Sequence, residues 1–355
     1  MGIFSNILQS AKKANAPTSA IGVDIGGSSI KVVELEDRDG VLTLVTYGEV
    51  QLGPYAGKPL GQVVSLTPKQ EQEALVDVIR ESAVKSRDAV FAMPLSASFI
   101  STSSVPASAD ADLSSMVRVE ARKIIPASLS EVTLDWVELE SVTKNQVGRS
   151  VLIAAIQNTA IERFKILMQF AGFTNSPTEI ECFSANRAVA KNQNTALIDF
   201  GAATTKMYLS HNGVLNRMHR INVGGAEITA KFAQATGLGF EAAENAKLLV
   251  QPNSEHYELL RGLYAKQYSR ALRECRQVFD HYQADTGATF DHIKIAGGSS
   301  LFRALPGIVG DAFGLDVEVT DPFKLVAYPA FMEDTIKTIG PLFVPALGAA
   351  LRTFE

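Results

Sequence analysis

The chain has 355 residues, 46% hydrophobic and 20% charged, with a formal net charge of −5; this bounds it at about two domains, each able to bury a core. With no basic stripe interleaved with aromatics, a nucleic-acid groove is excluded, and no run reaches the roughly 18 uninterrupted apolar residues that span a bilayer. Cys182 and Cys275 are the only cysteines, and His211, His219, His256, His281 and His292 share no ligand spacing. That usage points to a reducing cytosol and excludes a structural zinc site.

The first segment, MGIFSNILQSAKKANAP, lacks the charged start, long apolar stretch and small-residue cleavage site of a signal peptide. Phe4, Ile7, Leu8 and Ala11 share one helical face, with Lys12 and Lys13 following. This suits a short helix at a membrane surface or a partner, or one packed on its own domain. IGVDIGGSSIKVVEL then reads as two strands joined by a tight turn of Gly26, Gly27, Ser28 and Ser29, with Asp24 at its neck and Lys31 beyond. Such small residues let backbone amides approach an anion closely. A Gly- and Pro-rich surface loop follows, then a helix over about 69–86 and the strand AVFAMP. The stretch from Pro94 to Gln157 reads strand, helix, strand, strand: ASFISTSSVP, DLSSMVRVEARKIIP, EVTLDWVELE and SVLIAAIQ.

PTEIECFSANRAVAK (177–191) reads as a helical segment, with Glu181, and Glu179 as alternate, either orienting an attacking water or favouring a helix N-terminus. The Asp-x-Gly-x-x-x-x-Lys pattern of the first hairpin then recurs in ALIDFGAATTKMYLS, from Asp199 through Gly201, Ala202, Ala203 and Thr204 to Lys206. A lone pattern of this kind marks ordinary turns. Two copies predict two halves gripping one polyphosphate, ATP, with Asp24 and Asp199 offering the hard carboxylates that magnesium prefers, and Lys31 reaching a phosphate.

INVGGAEITAKF places Gly224 and Gly225 before a helix whose Glu227 reaches either the ribose and metal shell or only the helix start. The region 231–288 is helical, and its stripe Leu260, Leu263, Leu272, Val278 and Tyr282 is core packing. DHIKIAGG ends a strand in Gly297 and Gly298, where a flat adenosine can lie against the backbone, with Ser299 or Ser300 capping the helical SSLFRALPGIVGDAFG.

In this order and spacing, the two hairpins and the later GGSS turn resemble the superfamily of actin, sugar kinases and heat-shock chaperone ATPases. The resemblance implies an α/β actin-like fold of two ribonuclease-H-like halves flanking a nucleotide cleft, with 177–191 and PLFVPALGAALR (341–352) as connecting helices. It also implies that Glu244 and Lys247 of EAAENAKLLV serve the ribose and adenine. The phrases MPLSASFI and VRVEARKIIPASLSEVTLDW are similar to the PilM family of type IV pilus assembly and, more distantly, to the FtsA family of cell division. The PilM likeness implies a cytoplasmic protein at the inner membrane that binds the cytoplasmic N-terminal segment of PilN. The groove for it lies beside an inserted β-α-β-β subdomain. Arg118, Arg122, Lys123 and Trp136 are candidate groove residues, or a solvated helix face and a core tryptophan.

The expected organisation is a tail or short helix at 1–18, a first subdomain of 19–95, 155–192 and 338–355, and the insertion at 96–154. A second subdomain spans 193–230 and 289–337, with a helical cap at 231–288. A small-molecule kinase of the same superfamily is the alternative reading, but no Asp-bearing substrate loop supports it. An FtsA-like scaffold expects a linker and an amphipathic helix after the second connecting helix.

Overall fold

Residues 18–106, 112–140, 148–174 and 176–355 are described in a computed structural model of the chain. The predicted amphipathic face from Phe4 to Lys13 lies outside them. The first half begins with β1 (Ser19–Ile25), β2 (Ser29–Arg38) and β3 (Val41–Gln51), followed by α1 (Pro68–Glu81) and β4 (Ala89–Met93). Thr67 and Gln70 form a capping box at the start of α1, which satisfies two amides of its first turn. The helix stops at Glu81 instead of near Ser86, because Ala83 takes a positive φ of 52° and buried Glu34 accepts the amides of Lys85 and Ser86.

The insertion follows as β5 (Ser98–Val105), α2 (Leu113–Ile124), β6 (Val132–Glu138) and β7 (Arg149–Gln157). The chain returns to the first half through α3 (Asn158–Phe170), β8 (Thr178–Ile180) and α4 (Glu181–Val189). The segment 177–191, read as helical, thus opens with a strand that pairs with β4. The second half contains β9 (Thr195–Phe200), β10 (Thr205–His211), β11 (Val214–Ile221), α5 (Gly225–Thr236), α6 (Phe240–Leu249) and α7 (Tyr257–Thr286). It closes with β12 (His292–Ala296), α8 (Leu305–Phe313) and β13 (Asp316–Val319), before α9 (Glu333–Ile339) and α10 (Val344–Leu351) return to the first half. Ser299 and Ser300 cap no helix. Gly298–Leu301 is a 3-10 turn, and α8 starts only at Leu305 with proline in its first turn, where the missing N–H costs nothing.

The halves repeat one topology, with sheet orders β3-β2-β1-β4-β8 and β11-β10-β9-β12-β13. In each, three antiparallel strands are followed by two parallel ones. Both second hairpins close on a residue pair at positive φ, Asp39-Gly40 and Asn212-Gly213, the turn whose twist matches the flanking strands. Both carry a bulge, at Glu34/Leu35 and at Leu209/Ser210.

The insertion forms a three-stranded antiparallel sheet, β5-β7-β6. Val151, Ile153 and Ala155 of β7 pack under α2, whereas Leu152, Ala154 and Ile156 belong to the core of the first half, which runs on to Leu197, Tyr208 and Leu215 of the second. Burial on both faces explains the unbroken apolar run VLIAAI. The predicted stripe of α7 is packed in the core of the second half, with Leu260, Leu272 and Tyr282 fully buried.

The halves are joined where α4 crosses α10. A Cβ on Gly348 would fall 1.8 Å from Ser184 O, so the backbones touch at a place only glycine permits. Arg187 donates to Gly348 O at 2.9 Å and to Glu179 at 2.6 and 3.0 Å. Gly348→Ala therefore forces the helices apart and should destabilise the chain by about 3 kcal/mol. Denaturant unfolding followed by far-UV circular dichroism checks this.

Candidate functional site

The two repeated turns meet in a cleft between the halves. Each is closed by the same hydrogen bond, Gly26 N–H to Ser29 O at 2.9 Å and Gly201 N–H to Thr204 O at 3.0 Å. Strand register places Asp24 opposite Lys31 and Asp199 opposite Lys206. A Cβ on Gly27 would lie 3.4 Å from the Cβ of Ala203, so the turns are direct neighbours. The amides of Gly27, Ser28, Ala202, Ala203 and Thr204 meet no acceptor among the described residues. Paired concavities of free N–H groups are a fit for an anion with several oxygens.

Asp24, Gly26, Gly27, Ser28, Ser29, Lys31, Glu181, Asp199, Gly201, Ala202, Ala203 and Thr204 all line this cleft, with Gly225, Glu244, Lys247, Gly297, Gly298 and Ser299. Gly224 does not. It packs behind the second turn, where a Cβ would fall 2.3 Å from Ala202 O. The first amides of α5 are not free either, since Gly225 N–H donates to Gly201 O and Ala226 N–H to Ala202 O, both at 3.0 Å. Gly297 adopts φ +83°, and a Cβ there would lie 2.5 Å from Asp199 Oδ1, so this turn must be glycine for Asp199 to keep its place. Ser299 accepts the Tyr268 hydroxyl at 2.7 Å.

Glu181, the first residue of α4, is buried with both oxygens engaged: Leu95 N–H donates to Oε1 at 2.7 Å and Lys206 Nζ to Oε2 at 2.5 Å. Lys206 also pairs with Asp199 Oδ2 at 3.3 Å. Burial alone would depress this ammonium, but Glu181 and Asp199 together hold it above its ordinary value. Lys31, at the matching position, instead donates to Ser29 Oγ at 2.5 Å and pairs with Glu49 at 3.1 Å. Burial pushes Asp24 up to about 6, against the pull of Lys31 and with Glu181 adding to the rise.

Two carboxylates considered from sequence lie elsewhere. Glu179 is fully buried behind α4, held by Ser184, Arg187 and Arg352. Glu227 accepts from Gln267 at 2.7 Å on the exposed side of α5 and does not reach the cleft. On the far wall, Lys247 Nζ donates to Glu244 Oε2 and Thr229 Oγ1, both at 2.7 Å. Burial lowers the Lys247 ammonium below its usual value. Gly61, in the loop after β3, reaches across to this wall, where a Cβ would come within 2.8 Å of Glu244 Cγ.

Sequence reading overlooked Glu49, Gln51, Gly61 and Thr229, and gave Lys206 no role of its own. Lys206 was within reach, since the repeated pattern contains it. Glu49 was not, because the bulge at Glu34/Leu35 shifts the register that places it opposite Lys31.

The donor set fits a nucleoside triphosphate and a hard cation. Unpartnered amides face the turns, the carboxylate oxygens of Asp24, Asp199 and Glu181 line the same cleft, and Gly298, Leu301 and Leu248 form a partly apolar wall. Among the described residues, no three His, Cys, Asp or Glu side chains converge to hold a bare metal ion. Magnesium keeps most of its waters and is shared with phosphate oxygens, so one or two carboxylates suffice.

Asp24 also sets a pH dependence. Its folded value of about 6 exceeds the unfolded 3.8, so its ionisation opposes folding above that window and has no effect below it. Asp24→Asn should therefore be the more stable chain at pH 7.5, by on the order of 2 kcal/mol. The gap should close as pH falls from 6 to 4, which thermal melts of both proteins across that range will show.

The chain matches the family described as type IV pilus assembly protein PilM over residues 22–354. A solved PilM-PilN type IV pilus biogenesis complex contains a similar chain, 23% identical with a TM-score of 0.77, over 95% of this chain and 98% of that one. The ethanolamine utilization protein EutJ of Carboxydothermus hydrogenoformans is similar over 96% and 91% at 16% identity, with a TM-score of 0.57. MreB5 of Spiroplasma citri bound to ADP is similar over 91% and 98% at 15% identity, with a TM-score of 0.51. The fold is thus the actin-like one, and the chain belongs to the PilM family of type IV pilus assembly proteins.

Proposed function

We propose that this chain is a nucleotide-dependent scaffold of the pilus assembly platform, holding ATP with magnesium in the cleft and a cytoplasmic N-terminal segment of PilN on the inserted subdomain. The observation that carries the nucleotide reading is the pair of neighbouring turns whose amides lack acceptors, flanked by carboxylates from both halves. Gly26 to Ser29 and Gly201 to Thr204 bind the phosphates, and Lys31 adds a point charge. Glu244 and Lys247 face the ribose and adenine, with Gly297 and Gly298 beneath the base. Asp24 and Asp199 hold magnesium, which neutralises phosphate charge when bound.

Glu181 orients a water near the phosphates with the lone pairs that Leu95 N–H leaves over. A carboxylate so engaged is a weak base, which suits a site that holds ATP and turns it over slowly. Many activities share this cleft, so the family supplies the purpose. The similar chain in the PilM-PilN complex supports PilN as the partner. No helix among the described residues is long and apolar enough to cross a membrane, in keeping with a protein held at the inner membrane through that partner.

Coupling between cleft and partner has a physical route. Thr102 of β5 donates its hydroxyl to Asn216 O of β11, so the insertion carried by the first half is also tied to the second. A change in cleft opening strains that tie and moves the insertion. On α2, Arg118 and Arg122 stand one turn apart and exposed, with no ion-pair partner among the described residues. They offer charge to an acidic segment, while Lys123 is engaged with Glu120 at 2.9 Å. Trp136, half-buried on the edge strand β6, packs against the core beneath α2.

In titration calorimetry with ATP and magnesium, Asp24→Ala and Asp199→Ala should each bind at least tenfold more weakly than the wild type. Unchanged affinity in both removes the shared cation site. Because the inserted sheet is part of the first-half core, deletion of the insertion cannot test the partner. The double charge reversal Arg118→Glu, Arg122→Glu should instead abolish binding of a labelled PilN N-terminal peptide in fluorescence anisotropy while ATP affinity is kept. Retained peptide binding overturns this placement of the groove.

A further inference from the structure

The two copies of the hairpin pattern differ in what their lysines touch, and the cause lies in the third strand of each sheet. Lys31 sits across from Glu49 on β3 and pairs with it. Lys206 sits across from Arg220 on β11. A cation there offers no acceptor and repels a like charge directly opposite. Lys206 accordingly reaches the other way, into the cleft, and bridges Glu181 Oε2 from α4 and Asp199 Oδ2 from β9. Its ammonium neutralises two of the three carboxylates that line the floor, at contact distance, where a cation shared by Glu181 and Asp199 would sit.

We propose that Lys206 is a tethered counter-ion that excludes divalent metal from the Glu181–Asp199 pair until a polyphosphate draws its ammonium away, so that metal enters only together with nucleotide. This rests on the nucleotide reading of the cleft given above. The chemistry is a competition between cations. An ammonium on a flexible four-carbon stem is a mobile point charge, and it forfeits the carboxylates only when a stronger anion is within reach. A triphosphate on the adjoining turn supplies that anion, and in the same step brings oxygens that complete the coordination of a hydrated magnesium ion. Without nucleotide, the bridge keeps two buried carboxylates paired, which spares the molecule the cost of uncompensated charge. The bridge also links α4 of the first half to β10 of the second, so its release alters what joins the two halves.

The test uses manganese as the probe, with thermal shift and titration calorimetry on the full chain. Manganese alone should leave the wild-type melting temperature unchanged. Lys206→Met should bind manganese at least tenfold more tightly than wild type in the absence of nucleotide, and its melting temperature should rise with the metal. Lys206→Arg, which retains the charge, should exclude the metal as wild type does. Should Lys206→Met fold only when manganese is present, the inference stands. If it does not fold under either condition, Lys206→Gln, with a donor toward the same oxygens, is measured in its place. Wild type responding to manganese alone as strongly as the variant, or a folded uncharged variant gaining no metal affinity, overturns the inference. Wild-type binding of ATP with magnesium, measured in parallel, separates that outcome from failure of the nucleotide reading itself.

Discussion

The site depends on one close crossing, that of α4 over α10. At Gly348 and Ser184 the two backbones touch, and beside that contact Glu179, with no exposed surface, is gripped by Arg187 and Arg352. The charges are desolvated at considerable cost, and their attraction only offsets it because the geometry is tight and Ser184 and Gly348 O complete the hydrogen bonding. Such an arrangement is poor evidence for stability and good evidence for a fixed position. It fixes the start of α4, which carries Glu181 into the cleft, and the start of α10, where Pro345 joins the same wall. Both elements that join the halves are thus locked to each other at the base of the cleft.

Two halves of identical topology would make a symmetric cleft, and the departures from symmetry are where its chemistry arises. The repeated aspartates face the same space but in unequal surroundings. Asp199 is partnered by Lys206, whereas Asp24 lacks an ion pair among the described residues and is pushed up to about 6 by burial. The repeated lysines diverge because one faces an acidic and the other a basic residue across the sheet. A repeated scaffold whose cross-strand neighbours differ keeps its turns, which need only small residues, while its electrostatics change.

The hairpins, their turns and the glycines after β12 were legible in the sequence because each rests on a local signal: alternation, small residues and a carboxylate at fixed spacing. What escaped reading is set by partners far along the chain. Glu179 reads as a helix-entry carboxylate, and Arg187 on α4 together with the return of Arg352 beside it makes it a buried counter-charge. Ser299 and Ser300 have the look of a cap, but Tyr268 of α7 and the carbonyl of Gly297 claim them. Glu49 depends on a bulge, and the direction of Lys206 on the identity of residue 220. The order of elements in the insertion was readable, whereas its second buried face was not, because the partner surface is made by helices and strands elsewhere in the chain.

That second face bears on how the insertion can act. A module attached by flexible linkers would respond to the cleft only through its tether. Here Leu152, Ala154 and Ile156 lock the inserted sheet into a core that begins in the first half and runs on to Leu197, Tyr208 and Leu215 of the second. The hydroxyl of Thr102, donated to Asn216 O, adds a polar tie from β5 to β11 of the second half. An insertion bonded to both halves is the arrangement that the proposed coupling between cleft and partner requires, with the arginines of α2 at its outer surface.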